Sequence, residues 1–263
     1  MAQRKTSDEE HAQLDAVCAI EVTPGKSLAY GGASAEQRVE LYGEDASSAP
    51  CVVLVHGGYF RAKYDLAHMR PMAAELGRRG AFVVLAEYRR AGNGGGYPVT
   101  SQDIAAMMAF VLRRFCGGAG RARGHRIAVA GHSAGGSLVL TWASHQTPDG
   151  PPIALVPLAP VSDLQREANL GLAGGAVLEY LGATPDADRT RYLAEDPRSR
   201  AACIPQRIEV TLVHGTADGL VDVAFSRDFP ARRRELDGAG HFDLVDPASP
   251  YFETVASVLL ATA

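Results

Sequence analysis

Several residue types are scarce in this chain, and each shortage narrows its class. The four cysteines stand far apart at positions 18, 51, 116 and 203, with no CxxC pair, so neither a disulfide framework nor a zinc site is indicated. Cys51 opens an apolar run and Cys116 closes a helical pattern, and both read as small hydrophobes. Lysine occurs only at positions 5, 26 and 63, and the net charge is −4 with no long run of one sign. That leaves no basic arm for nucleic acid and no polybasic patch for a membrane surface. The local cluster Arg232-Arg233-Arg234 runs straight into Glu235 and Asp237 and reads as a solvated strand edge or turn. No stretch reaches the roughly 18 apolar residues of a membrane span. The opening MAQRKTSDEEHAQLDAV lacks the apolar core of a signal peptide, so the expectation is a cytoplasmic protein.

What is present is a chain of 263 residues, 46% apolar, enough for one large core. Short β-branched runs alternate with helical patterns, which predicts βαβ units and a largely parallel sheet. Strands are expected at 27–30, 36–42, 51–55, 81–88, 126–130, 153–160 and 208–213, with a last one near 233–236. Helices are expected over 7–18, 66–79, 100–115, 134–145 and 249–261. The first would be capped by Ser7 with Glu10 three places on. CVVLV at 51–55 is an unbroken apolar run, as in a strand buried on both faces. Residues 163–204 are mainly helical and irregular, and read as a small cap inserted in a single domain spanning 1–263. The Gly-rich loop at 92–96 and the stretch Arg61–Asp65 would line an entrance, with Lys63, Tyr64 and Asp65 facing either a polar substrate or solvent.

The chemistry is concentrated in GHSAGG, residues 131–136, which directly follows the strand RIAVA and precedes a helix. A serine hydroxyl attacks a carbonyl only if it is exposed and a base takes its proton. A tight strand-to-helix turn exposes Ser133, and glycines at 131 and 135 fit its crowded backbone. The same turn aims the Ala134 N–H at the place where an oxyanion would form. The loop His56-Gly57-Gly58-Tyr59, after the strand 51–55, would add the N–H groups of Gly58 and Tyr59, with His56 bracing the loop. Tyr59 and Phe60 are the candidate substrate-binding aromatics. Of the eight histidines, His241 in GAGHFD has the setting of a base, in a Gly-rich loop after the last strand. His11, His68, His125 and His145 read as surface or packed residues, His132 would point away from the serine, and His214 reads as structural. Asp218 in HGTADGLV is the candidate acid, able to hold the imidazole tautomer, with Asp222 and Asp163 as competitors.

HGGYF, GHSAGG, HGTAD and GAGHFD, in this order and with these strand contexts, resemble the α/β-hydrolase superfamily over about residues 27–260. Within it, HGGYF followed by GHSAGG is similar to the kynurenine formamidase and small carboxylesterase branch, related to hormone-sensitive-lipase-like esterases. The resemblance implies an α/β fold with a mostly parallel central sheet of about eight strands, helices on both faces and a small cap. It implies Ser133 as nucleophile, His241 as base, Asp218 as acid, Gly58, Tyr59 and Ala134 as oxyanion donors, and neither cofactor nor metal. Two departures stand out: Tyr59 occupies the place of a third glycine, and only residues 219–240 separate Asp218 from His241. The helix there must be short, as VDVAFSRDF would be, leaving a sheet edge open to a partner subunit in a homodimer. The expected partner is otherwise a small molecule, with hydrolysis of an ester or N-formyl amide as the leading reaction. Acyl transfer, cyclisation or lactone formation by the same triad is the alternative, and a non-catalytic binding module a further one.

Overall fold

A computed structural model describes residues 3–46, 48–116 and 127–262; His125 lies outside them. The chain opens with helix α1 (Ser7–Cys18) and two strands, β1 (Ser27–Ala29) and β2 (Arg38–Tyr42). β3 (Cys51–Val55) leads through a 3₁₀ turn at Leu66–Met69 into α2 (Arg70–Arg78). β4 (Phe82–Ala86), α3 (Val99–Val111), β5 (Ile127–His132), α4 (Ala134–Ser144) and β6 (Ile153–Leu158) follow. Four short helices, α5 (Leu164–Asn169), α6 (Ala176–Leu181), α7 (Arg189–Glu195) and α8 (Pro197–Arg200), separate β6 from β7 (Ile208–Gly215). The chain closes with α9 (Ala224–Asp228), β8 (Arg232–Leu236) and α10 (Phe252–Thr262).

The strands form one sheet in the order β1-β2-β4-β3-β5-β6-β7-β8. β1 and β2 are antiparallel and β4 onward is parallel. β3, β4, β5 and β6 are buried along their whole length, which is why they read as unbroken apolar runs rather than alternating ones. Successive side chains still point to opposite faces. Cys51, Val53 and Val55 enter one core, with Met107, Met108 and Leu140, while Val52 and Leu54 enter the other, with Met72 and Leu76. Among the described residues no helix is long and apolar enough to cross a membrane.

Several local expectations shift. The capping box of α1 is one residue early: Thr6 caps the helix and Glu9 closes the box, because Glu10 is turned inward and fully buried. The short interval between Asp218 and His241 holds a short helix as expected, α9 of 5 residues, followed by the eighth strand. β8 ends the sheet, and its Arg232, Arg233 and Arg234 are exposed. A row of like charges on an edge strand opposes edge-to-edge pairing with a second sheet.

Candidate active site

The parallel register brings the key loops together. Val55 lies beside Gly131, so the loop leaving β3 and the turn leaving β5 emerge side by side at the carboxyl edge of the sheet. Ser133 occupies the turn itself, with φ 56° and ψ −121°. That conformation is unfavourable for a residue with a side chain, by about 1–3 kcal/mol. It is held by the Ser133 N–H donating to the Leu158 carbonyl at 2.8 Å and by the first turn of α4 closing on the Ser133 carbonyl. Gly57 packs against this turn so closely that a Cβ there would lie 2.7 Å from the His132 carbonyl oxygen and 2.8 Å from the Ser133 Cβ.

Asp218 and His241 meet across two further loops. Asp218 follows β7, and its Oδ1 accepts the N–H groups of Leu220 and Val221, each at 2.8 Å. Its Oδ2 accepts from His241 Nδ1 at 2.7 Å and lies 3.3 Å from His214 Nε2. Both side chains are buried. Burial opposes ionisation of Asp218, but His241 and His214 outweigh it and hold the carboxyl well below its usual range. Burial likewise opposes protonation of His241, and Asp218 more than compensates, raising the imidazole above its ordinary value. With Nδ1–H committed to Asp218, the free imidazole nitrogen is Nε2. Of the competing acids, Asp222 pairs with Arg4 and bonds the Ala224 N–H, while Asp163 caps α5.

His241 and Ser133 line one cavity, together with Gly58, Tyr59, His68 and His132. Its free volume is about 10 Å³, room for about one water molecule. Among the described residues, no hydrogen bond engages the N–H groups of Gly58, Tyr59 or Ala134. A wider basin of about 400 Å³ adjoins it, sharing Tyr59, Tyr64 and Leu220 and adding His11 and Arg61. Tyr59 has φ 57° and lines both spaces. Phe60 lies elsewhere: it is 1% exposed and stacks on Tyr180 with centroids 4.4 Å apart, so its ring belongs to the core. Asp65 bonds the Ala67 N–H at the start of the 3₁₀ turn, and Lys63 lies over the Tyr64 ring. The loop 92–96 lines neither the cavity nor the basin.

The histidines divide by role. His56 braces its loop as expected, with Nδ1 on the Gly57 carbonyl at 2.6 Å and Nε2 on Glu87 at 2.9 Å. Burial, with Arg90 nearby, pushes its pKa down to about 3. His214 is held between Ser226 and the Val221 carbonyl. His132 departs from expectation: it lines the cavity beside the serine, and its Nε2 donates to the His241 carbonyl at 3.1 Å. Its ring lies 4.5 Å from that of His241. His68 also lines the cavity, and its Nε2 has no partner among the described residues. Burial pushes it down to about 3, so it is neutral. Nothing in its local sequence marks His68, because it arrives from the turn before α2. No group of three or more potential metal ligands occurs among the described residues.

Fold and site together define the class of protein as an α/β hydrolase. Residues 52–224 match the family described as alpha/beta hydrolase fold, and the chain belongs to that family. No curated protein sequence matches this chain. Solved structures with the same fold include the tributyrin phosphonate-inhibited esterase B of Lactobacillus rhamnosis, at 17% identity and TM-score 0.74, covering 97% of this chain and 91% of that one. Carboxyl esterase 2 of Tuber melanosporum matches at 18% identity and TM-score 0.68, covering 98% of both chains. A truncated carbohydrate esterase from gut microbiota matches at 16% identity and TM-score 0.70, covering 92% of this chain and 98% of that one. At identities this low, the structural likeness shows the shared fold alone.

Proposed function

We propose that the protein is a serine hydrolase of small carboxylic esters or N-formyl amides, acting through Ser133, His241 and Asp218. The observation that carries this reading is the 2.7 Å bond from His241 Nδ1 to Asp218, on an imidazole that shares its cavity with Ser133. His241 Nε2 takes the proton of the Ser133 hydroxyl as its oxygen attacks the substrate carbonyl. The tetrahedral oxyanion that forms is stabilised by the N–H groups of Gly58, Tyr59 and Ala134, whose lack of internal acceptors suits them to it. His241 then protonates the leaving alcohol or amine, and an acyl-enzyme remains on Ser133. Water, deprotonated by His241, releases the acid and restores the serine.

The spaces around the serine support a division of the substrate. The cramped inner cavity suits a formyl, acetyl or similarly short acyl group. The wider basin, with Arg61, His11 and Tyr59 on its walls, suits a larger polar leaving group. Residues 163–204 act as the cap over that basin. Arg61 ties them down by bonding Glu179 and the carbonyls of Ala173 and Gly174. The test is covalent labelling with a fluorophosphonate, located by mass spectrometry. An adduct on Ser133, blocked in Ser133→Ala, is expected, together with faster turnover of acetyl than of octanoyl p-nitrophenyl esters. Labelling of folded protein anywhere but Ser133 would remove the assignment.

A further inference from the structure

The capping box expected at Ser7 and Glu10 fails because Glu10 is engaged elsewhere. It is the fourth residue of α1 and is fully buried, a costly place for a carboxylate unless its oxygens are hydrogen-bonded. They are. Oε1 accepts the His241 N–H at 2.8 Å and the Gly219 N–H at 3.1 Å, and Oε2 faces the Phe242 N–H at 3.4 Å. One side chain from the N-terminal helix thus joins the loop that carries His241 to the loop that carries Asp218.

The surroundings are built to admit it. A Cβ at Gly240 would lie 2.6 Å from Glu10 Oε1 and equally close to Lys5, and a Cβ at Gly219 would run into the Lys5 carbonyl. Neighbouring bonds repeat the same span. The Lys5 N–H donates to the Ala217 carbonyl at 2.8 Å, and Arg4 Nε to the Asp218 carbonyl at 2.8 Å. On the other loop, Lys5 Nζ meets Asp243 at 2.7 Å, and Asp243 also takes the Gly240 N–H at 2.6 Å.

We infer that Glu10 is a positioning residue for the reaction, setting the distance between His241 and Asp218 by anchoring both of their loops on one carboxylate. The inference rests on the triad proposed above. A small displacement of a catalytic group costs on the order of 10²-fold in rate, so an anchor at the His241 backbone acts on kcat rather than on substrate binding. Its charge acts as well. The groups facing His241 are Asp218 from the loop after β7, Glu10 from α1, Glu167 from α5, His132 from β5 and His68 from the turn before α2, with His214 of β7 on the same Asp218 carboxylate. Glu10 joins Asp218 and Glu167 in favouring the protonated imidazole.

The experiment compares Glu10→Ala and Glu10→Gln with wild type, using p-nitrophenyl acetate across pH 5–9 and fluorophosphonate labelling rates at Ser133. Thermal melts establish that each variant is folded. Glu10→Ala should lose about 10–10²-fold in kcat with KM within about twofold. Glu10→Gln keeps an oxygen for the His241 and Gly219 N–H groups but not the charge. It should recover most of kcat, with the acid limb of kcat/KM moved to lower pH. A folded Glu10→Ala with wild-type kcat and labelling rate overturns the inference. So does a Glu10→Gln whose acid limb stays in place, and that variant decides alone if Glu10→Ala does not fold. Wild-type protein that does not label at Ser133 would instead remove the triad reading beneath it.

Discussion

Replacing Asp218 with asparagine removes one charge and adds two protons, and the local hydrogen bonds determine how the new side chain sits. In the wild type, Oδ1 holds the Leu220 and Val221 N–H groups and Oδ2 holds His241. An asparagine that keeps its oxygen on the two backbone donors must present its NH₂ to His241 Nδ1, while His214 Nε2 keeps the Val221 carbonyl as its acceptor. The opposite orientation aims the NH₂ at two buried N–H donors. Leaving a buried donor unpaired costs about 1–3 kcal/mol, so that orientation is unfavourable by roughly 2–6 kcal/mol. The first orientation therefore prevails, and Nδ1 of His241 must accept instead of donate. The imidazole proton moves to Nε2, the atom that takes the serine proton in the proposed mechanism. A loss of about 10⁴-fold in kcat is expected, equivalent to about 5 kcal/mol of transition-state stabilisation. The pH profile should change with it. Wild-type kcat/KM should rise through a group above the ordinary histidine value, because Asp218 raises His241. In the variant, burial is left with less opposition, and the acid limb should move downward. The assay is p-nitrophenyl acetate hydrolysis at pH 5–9 on protein shown to be folded. A loss smaller than tenfold, or an unmoved acid limb, would refute the argument from tautomer and charge.

Two further outcomes follow from burial and close packing. Burial raises Glu167 from 4.5 to about 7, so the native state binds this proton more tightly than the unfolded chain. Stability from this group is greatest below about pH 4.5, declines as pH rises through the window to 7, and is reduced by about 3 kcal/mol above it. Glu167→Gln should therefore flatten the dependence and raise the urea midpoint at pH 8. An unchanged midpoint at pH 8 would contradict the burial argument. Gly57→Ala should cost more in kcat than in melting temperature, because its methyl group meets the Ser133 turn rather than the core; wild-type turnover would show that the turn tolerates the contact.

Local order was legible along the chain because it depends on near neighbours. Unbroken apolar runs identified strands buried on both faces, and HGGYF, GHSAGG, HGTAD and GAGHFD each marked a loop following or near a strand end. The antiparallel pairing of β1 and β2 and the place of β8 beside β7 come from the fold, while the largely parallel sheet follows that reading. Its errors share a cause. Phe60 adjoins Tyr59 in sequence, yet consecutive residues leave a tight turn in different directions, and Phe60 entered the core against Tyr180. His132, next to Ser133 in sequence, reads as pointing away from it, yet the cavity wraps around both.

Spacing and residue type alone were enough to nominate Ser133, Asp218 and His241, since each sits in a turn whose shape is encoded within a few residues of itself. Packing decided which residues surround them. His68 comes from the turn before α2, and Glu10 from a helix before the first strand. Their approach to His241 depends on how whole elements stack over the sheet, and no periodicity records that. A carboxylate in a first helical turn looks like a cap when read with its neighbours. Only the folded chain, with two glycine-lined loops closing on Glu10, shows it bonded to the backbone of His241.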